Sequence, residues 1–547
     1  MATALVATAG LVVSACSGGT DDSTGLAESD GDVAYEGDVA FDAPATTLAA
    51  GGTDVPNDEP YDLTFFENYG VNPRIDTEDD PRSTFALDVD TGSYTLARAW
   101  IRDGNAPDRD SVRVEEYVNY FDQGYEAPVD EPFTIDVDGG PTPFMENDRY
   151  QLVRVGVASR VVADEDRPDA RLTFVIDVSG SMAEELPKVR QALGVLVREL
   201  RPTDEVAIVV YGSDSRVLLE HTPLADGARV LDAIDRLEVD GSTNAEEGLR
   251  IGYREATAAF VDGAVNRVVL ASDGVANVGN TGSDSILATI AEHARDGIDL
   301  VTLGFGLGNY NDVLMEQLAD DGDGFYAYVD TAREAERLFR HDLTGTLVTV
   351  ARDAKVQVTF DPAAVERYRL VGFENRAVAD DEFRDETVDA GEIGAGHTVT
   401  ALYEVKLADT SAEAVAHGAD ATDTGAAADV PVVSRPPTEA VPVGALGTVA
   451  LRWEDPDTGE VTETSRTILR SDLAPTYEQT SPHFQLASTV GAWAELLRGS
   501  YFAVENDVIT AAAVAEEAAR LANGPFVEQP DVVELAELTR DAVELGG

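Results

Sequence analysis

The sequence predicts an α/β protein: a doubly wound, mostly parallel sheet inserted between β-rich flanking segments, with a helical region at its C-terminal end. Three observations predict it. Between residues 171 and 348, buried-type runs at 172–176, 206–211, 268–271 and 300–305 alternate with helical patterns such as 184–200, and that alternation implies parallel strands covered on both faces. Strand-like segments stand on either side of this block, at 133–137 and 152–157 before it and at 355–360, 369–373, 398–407 and 447–452 after it. From residue 483 onward apolar residues recur at helical spacing.

In chain order, residues 1–16 come first. Residues 2–15 are apolar and small, shorter than the roughly 20 residues a spanning helix needs, and end in Val13-Ser14-Ala15-Cys16. This resembles a bacterial lipoprotein signal, which implies cleavage before Cys16, acylation of its thiol and attachment to the extracytoplasmic face of the membrane. Residues 17–60 are rich in Gly, Asp, Ser, Thr and Ala and read as a flexible acidic linker. A small N-terminal module spans 61–148, with helical runs at 94–102 and 114–121. Residues 149–170 supply strands to the flanking β-rich domain, 171–348 form the inserted α/β domain, and 349–480 complete the β-rich domain. Within that last segment, 408–440 is an Ala/Asp/Thr/Pro-rich loop without periodicity. Residues 481–547 form the C-terminal helices.

Charge narrows the function. With 103 Asp and Glu against 39 Lys and Arg, the formal net charge of −64 repels a phosphate backbone, which argues against nucleic acid as a partner. Lysine occurs only at Lys188, Lys355 and Lys406, a balance expected of a protein kept soluble in high salt. The 44% hydrophobic content places this acidity on a folding chain. Cys16 is the sole cysteine, which excludes a disulfide framework and any Cys-rich metal site.

The first strand of the α/β block runs into Asp177-Val178-Ser179-Gly180-Ser181, a carboxylate and two hydroxyls at alternate positions. That spacing turns all three oxygens to one side of the loop leaving the strand's carboxyl end, where doubly wound sheets bind ligands. Thr243, in Gly241-Ser242-Thr243-Asn244, adds a hydroxyl before a helix, and Asp273 ends another strand. Two carboxylates and three hydroxyls, with no His or Cys, suit Mg²⁺, while Mn²⁺ and Ca²⁺ also accept oxygen sites.

Asp177-x-Ser179-x-Ser181, Thr243 and Asp273 resemble the metal-ion-dependent adhesion site of von Willebrand factor type A domains, which have a Rossmann-like fold. The resemblance implies that Ser179 and Ser181 are direct ligands, that Thr243 is a switchable one, and that Asp177 and Asp273 neutralise charge. It also implies a protein ligand that offers an Asp or Glu to the open position. Segments 87–94, 112–121, 302–312 and 389–404 are similar to those of one bacterial lipoprotein-like subfamily. Its members join an N-terminal module, a central type A domain and an uncharacterised C-terminal domain.

Other motifs carry less. Asp90-Thr91-Gly92-Ser93 spells the aspartic-protease signature, but that four-residue sequence does not recur in the chain to share a proton. Asp88-Val89-Asp90 is also similar to a phosphotransfer loop, with Gly92 where that loop needs Thr. Gly304-Phe305-Gly306-Leu307-Gly308 reads as a strand-to-helix turn, and Asp320-Asp321-Gly322-Asp323-Gly324 as an acidic turn. A twelve-residue calcium loop starting at Asp321 would end on Ala332 instead of Glu. The six histidines are dispersed, which argues against zinc. The expectation is therefore a lipid-anchored, non-enzymatic binding protein at the cell surface. The alternative is an envelope scaffold whose C-terminal helices form the interface, and a hydrolase is more remote.

Overall fold

A strand buried on both faces must alternate its side chains between two hydrophobic layers, and Ala170–Asp177 does so. In the computed structural model, Leu172, Phe174 and Ile176 pack on one side with Val189, Leu193 and Leu196 of the helix Leu186–Glu199. Val175 packs on the other side with Leu249 and Tyr253 of the helix Ala245–Ala258. The structure describes residues 64, 66–145, 149–274, 283–307, 310–341, 343–386, 388, 390–408, 444–504 and 509–545. The expected lipoprotein signal with Cys16, the linker at 17–60 and all but the first residue of the 408–440 loop lie outside them.

The central sheet is ordered Tyr326–Tyr328, Asp299–Gly304, Val265–Ser272, Ala170–Asp177, Glu205–Tyr211 and Arg216–Pro223. All neighbours are parallel except the last pair. Chain order reverses at Ala170–Asp177, the first strand of the sheet: its successor lies on one side and Val265–Ser272 on the other. The fold is the expected doubly wound α/β sheet, with an antiparallel edge strand that sequence patterning had not indicated.

Two antiparallel sheets enclose a second core. One is ordered Ile75–Asp76, Val365–Val371, Thr398–Leu407, Tyr150–Ser159 and Phe133–Gly140; the other contains Ile393–Gly394, Thr349–Phe360, Ala445–Glu454 and Val461–Leu469, with Arg82–Ala86 also paired to Thr349–Phe360. Val153, Val155 and Val157 from the first sheet meet Val356, Val358 and Phe360 from the second. Strands from before and after the α/β block therefore share sheets. Segments 75–76 and 82–86 belong to this sandwich through long-range backbone pairing, which a local reading of an N-terminal module does not anticipate.

The C-terminal helices close the third core. Ser481 caps Pro482–Leu497 by accepting from the Phe484 amide at 3.0 Å, and Pro482 occupies the first turn, where its missing N–H costs nothing. Trp493 from this helix stands 5.7 Å from Tyr117, which lies 5.6 Å from Tyr94. The helices Gly92–Arg102 and Val114–Asn119 thus bury their aromatic faces against the far end of the chain. Among the described residues no helix is long and apolar enough to cross a membrane.

Candidate functional site

Reversal of strand order leaves a crevice at the carboxyl ends of Ala170–Asp177 and Val265–Ser272, because the connections on the two sides leave in opposite directions. Asp177 and Asp273 stand at that crevice, one on each strand end, and both are buried. Asp177 accepts through Oδ1 from the Ser179 amide at 2.8 Å and through Oδ2 from the Ser272 hydroxyl at 3.0 Å. This turn fixes the loop. Ser179 and Ser181 hold their hydroxyl oxygens 3.1 Å apart, Ser179 buried and Ser181 exposed.

Two backbone bonds bring the loop of Thr243 to the same place. The Asp240 amide donates to the Val178 carbonyl at 2.6 Å, and the Gly180 amide donates to the Gly241 carbonyl at 2.8 Å. Gly241 takes a left-handed conformation there (φ +68°). Gly212 leaves room for this crossing, since a Cβ at its position would run into the Asp240 carbonyl. Half-buried Thr243 follows on this loop, and Asn244 then caps the helix Ala245–Ala258 by accepting from the Glu247 amide. The five residues singled out from sequence thus sit on three adjoining loops.

The electrostatics are one-sided. Burial raises the Asp177 carboxyl, opposed by the hydrogen bonds from the Ser179 amide and the Ser272 hydroxyl and by the nearby Ser179 and Tyr211 hydroxyls. Burial likewise pushes Asp273 up to about 7, opposed by the Ser181 hydroxyl and reinforced by the charge of Asp177 and of Glu185. Tyr211, which reasoning from sequence left as a core residue, lies against Asp177 and Ser272, and burial raises its phenol well above the ordinary range. Only its place one strand over, at the end of Glu205–Tyr211, reveals it. Among the described residues, the largest influences on Asp177 and Asp273 include no Arg or Lys. Buried acids set among neutral hydroxyls fit a hard cation, whose charge offsets theirs and whose preferred donors are oxygen.

The remaining motifs fall elsewhere. Asp90 of the protease-like segment is buried and accepts from the Tyr326 amide at 3.2 Å, while Gly92 already begins a helix. Asp320 ends the helix Asp312–Asp320, and residues 321–323 turn, as the acidic segment predicted.

A doubly wound sheet with a hydroxyl-rich loop at its switch point defines the class, and residues 172–341 match the von Willebrand factor type A domain. Residues 61–154 match the family described as von Willebrand factor, and residues 345–542 match the C-terminal domain of the uncharacterized protein YfbK. The chain belongs to the YfbK family of bacterial type A proteins: it is 35% identical over 451 residues to YfbK of Escherichia coli (strain K12), covering 80% of this chain and 74% of that one. It is also 29% identical over 189 residues to protein sll0103 of Synechocystis, and 26% identical over 192 residues to inter-alpha-trypsin inhibitor heavy chain H2 of Sus scrofa. Those matches cover 34% and 33% of this chain and only 44% and 20% of the relatives. A solved von Willebrand factor type A structure from Catenulispora acidiphila aligns over 75% of this chain and 89% of its own, at 15% identity and a TM-score of 0.40. Type A domains serve protein–protein interaction or adhesion and commonly hold a divalent metal ion.

Proposed function

We propose that this chain is a lipid-anchored, non-enzymatic binding protein of the extracytoplasmic membrane face. Its type A domain captures an acidic residue of a protein ligand through a divalent cation. Asp177, Ser179, Ser181, Thr243 and Asp273 would hold the metal, and Cys16 would carry the lipid. The metal would supply a positive centre with a coordination position left for the partner's carboxylate. Mg²⁺ is the cation of choice because the set holds two carboxylates and three hydroxyls with no His or Cys and suits an octahedral oxygen shell, with Mn²⁺ and Ca²⁺ as rivals.

The observation that carries this reading is the pair of buried carboxylates at the switch point, balanced by hydroxyls and amides and by no base. The family's general role in protein interaction supports it too. Against the scaffold alternative stands the burial of Phe484, Leu486, Val490 and Trp493 in the internal core, which leaves that helix's apolar face committed.

Thermal melts of the whole chain at high salt, with EDTA or millimolar Mg²⁺, test the proposal. Binding to the native state raises the midpoint. Mg²⁺ is expected to raise it in wild type and to leave Asp177→Ala unchanged. Identical wild-type midpoints in EDTA and in Mg²⁺ would overturn the metal-dependent reading. A protein partner retained on the Mg²⁺-loaded chain and released by EDTA would extend it to function.

A further inference from the structure

At the carboxyl ends of three neighbouring strands, three polar side chains stand in one row. Tyr211 is the register partner of Asp177, and Ile176 is that of Ala271, which brings Ser272 to the next place in the row. Side chains alternate between the two faces of a strand, so these three follow Val209, Val175 and Leu270 onto the face covered by the helix Ala245–Ala258. The row reads Tyr211, Asp177, Ser272, with the carboxylate in the middle.

The two sides of Asp177 are not equally secured. The Ser272 hydroxyl donates to Oδ2 at 3.0 Å from one side, and the Ser179 amide donates to Oδ1 at 2.8 Å from the loop. On the other side stands Tyr211, which is 0% exposed and whose hydroxyl closes no hydrogen bond among the described residues. A buried hydroxyl in that state is costly, and a Phe would fill the same space without the cost. What the hydroxyl adds is a donor beside a carboxylate, whose two oxygens offer about four acceptor positions.

The rest of Tyr211 is held fast. Its carbonyl accepts from the Val178 amide at 2.9 Å, inside the turn that carries Asp177 and Ser179. Its ring lies against Gly248, where an added Cβ would come 2.7 Å from Cδ1. Gly248 belongs to the helix Ala245–Ala258, which continues the loop of Thr243. One residue therefore touches the turn of Asp177 by its backbone and the helix after Thr243 by its ring, and its hydroxyl stands at the carboxylate between them.

We propose that Tyr211 is a positioning residue of the cation site: its hydroxyl donates to Asp177 when that carboxylate is ionised beside a metal, and so fixes its orientation from the side that Ser179 and Ser272 leave open. This deepens the reading of Asp177 as part of a divalent-cation site and rests on it. Tyr211 itself touches no metal. A hydrogen bond to an ionised acceptor is about twice as strong as one between neutral groups, which offsets the burial of the hydroxyl.

Calorimetric titration of MgCl₂ into the whole chain at high KCl tests it, for wild type, Tyr211→Phe and Tyr253→Phe, with a thermal melt of each in EDTA. Tyr253 is the matched control, a buried tyrosine of the same core whose hydroxyl also closes no hydrogen bond among the described residues. Tyr211→Phe keeps the ring against Gly248 and removes one oxygen. It is expected to weaken Mg²⁺ binding about tenfold, the lower end of the cost of losing a metal ligand's hydrogen-bond partner. Its midpoint in EDTA should stay at or above that of wild type, and Tyr253→Phe should bind Mg²⁺ as wild type does. Wild-type affinity in Tyr211→Phe would overturn the proposal and leave the cation site standing. Equal weakening in both variants, or a Tyr211→Phe midpoint in EDTA well below that of wild type, would also overturn it, by showing that the hydroxyl serves packing. No Mg²⁺ uptake by wild type would remove the cation site itself, and the role of Tyr211 with it.

Discussion

Two groups of buried acids in this molecule are kept by opposite means. At the head of the type A sheet, Asp177 and Asp273 are surrounded by hydroxyls and amides. At the seam with the N-terminal helices, Glu116, Asp312 and Glu316 close around Arg113 at 3.2, 2.6 and 3.0 Å. A carboxylate that meets a guanidinium has found its counter-charge within the fold, and its role is to join elements. A carboxylate held only by neutral donors has met no counter-charge within the fold and leaves that place to something from outside. The contrast separates architecture from binding without reference to any relative.

The largest effect is expected at the seam. Arg113 is buried and serves three carboxylates, so Arg113→Ala leaves them facing one another in the interior. Removal of one partner from a buried ion pair costs about 3–5 kcal/mol. Denaturant unfolding at high salt should show a loss of that order. A cost below about 1 kcal/mol, the range of an exposed pair, would mean that the seam does not depend on its ions and would break the comparison.

A smaller effect is expected at Gly212. A Cβ there meets the Asp240 carbonyl, which also accepts from the Ser213 amide at 3.0 Å. Gly212→Ala should push the 240–243 segment away from the loop of Ser179, at about 1–3 kcal/mol for an overpacked site. Its diagnostic consequence is loss of the Mg²⁺-dependent rise in melting midpoint, although no proposed ligand has changed. An alanine variant that keeps the full rise would show that Thr243 does not need this crossing.

The two regions also differ in how far the sequence revealed them. Asp177, Ser179 and Ser181 lie on one turn, so their grouping follows from local spacing, and the buried run 172–176 announces a central strand. Asp273 is visible as a carboxylate closing another such run. The seam is assembled from Asp90, Arg113, Asp312 and Arg376, whose neighbourhood depends on Arg82–Ala86 pairing with Thr349–Phe360 across the length of the chain. No local pattern encodes that pairing. The strand Val461–Leu469 escaped notice for a different reason: it lies at a sheet edge and exposes Thr462, Glu463, Thr464 and Ser465, leaving only Ile468 fully buried. The segment at 320–323 was legible as a turn.

The smallest effect tests the comparison most closely, because its sign should differ from that at the seam. Without metal, burial raises the Asp177 carboxyl, so its charged form is disfavoured in the folded chain. Asp177→Asn removes that charge at nearly constant shape. The amide oxygen can still accept from the Ser179 amide, and the Ser272 hydroxyl can turn to accept from the new NH₂ group. In EDTA the variant should therefore unfold within about 1 kcal/mol of wild type, on the side of greater stability. In Mg²⁺ the order should invert, since only wild type gains binding energy in the native state. If Asp177→Asn in EDTA proves as damaging as Arg113→Ala, Asp177 holds the sheet together as Arg113 holds the seam, and an acid set among hydroxyls no longer marks a place for a ligand.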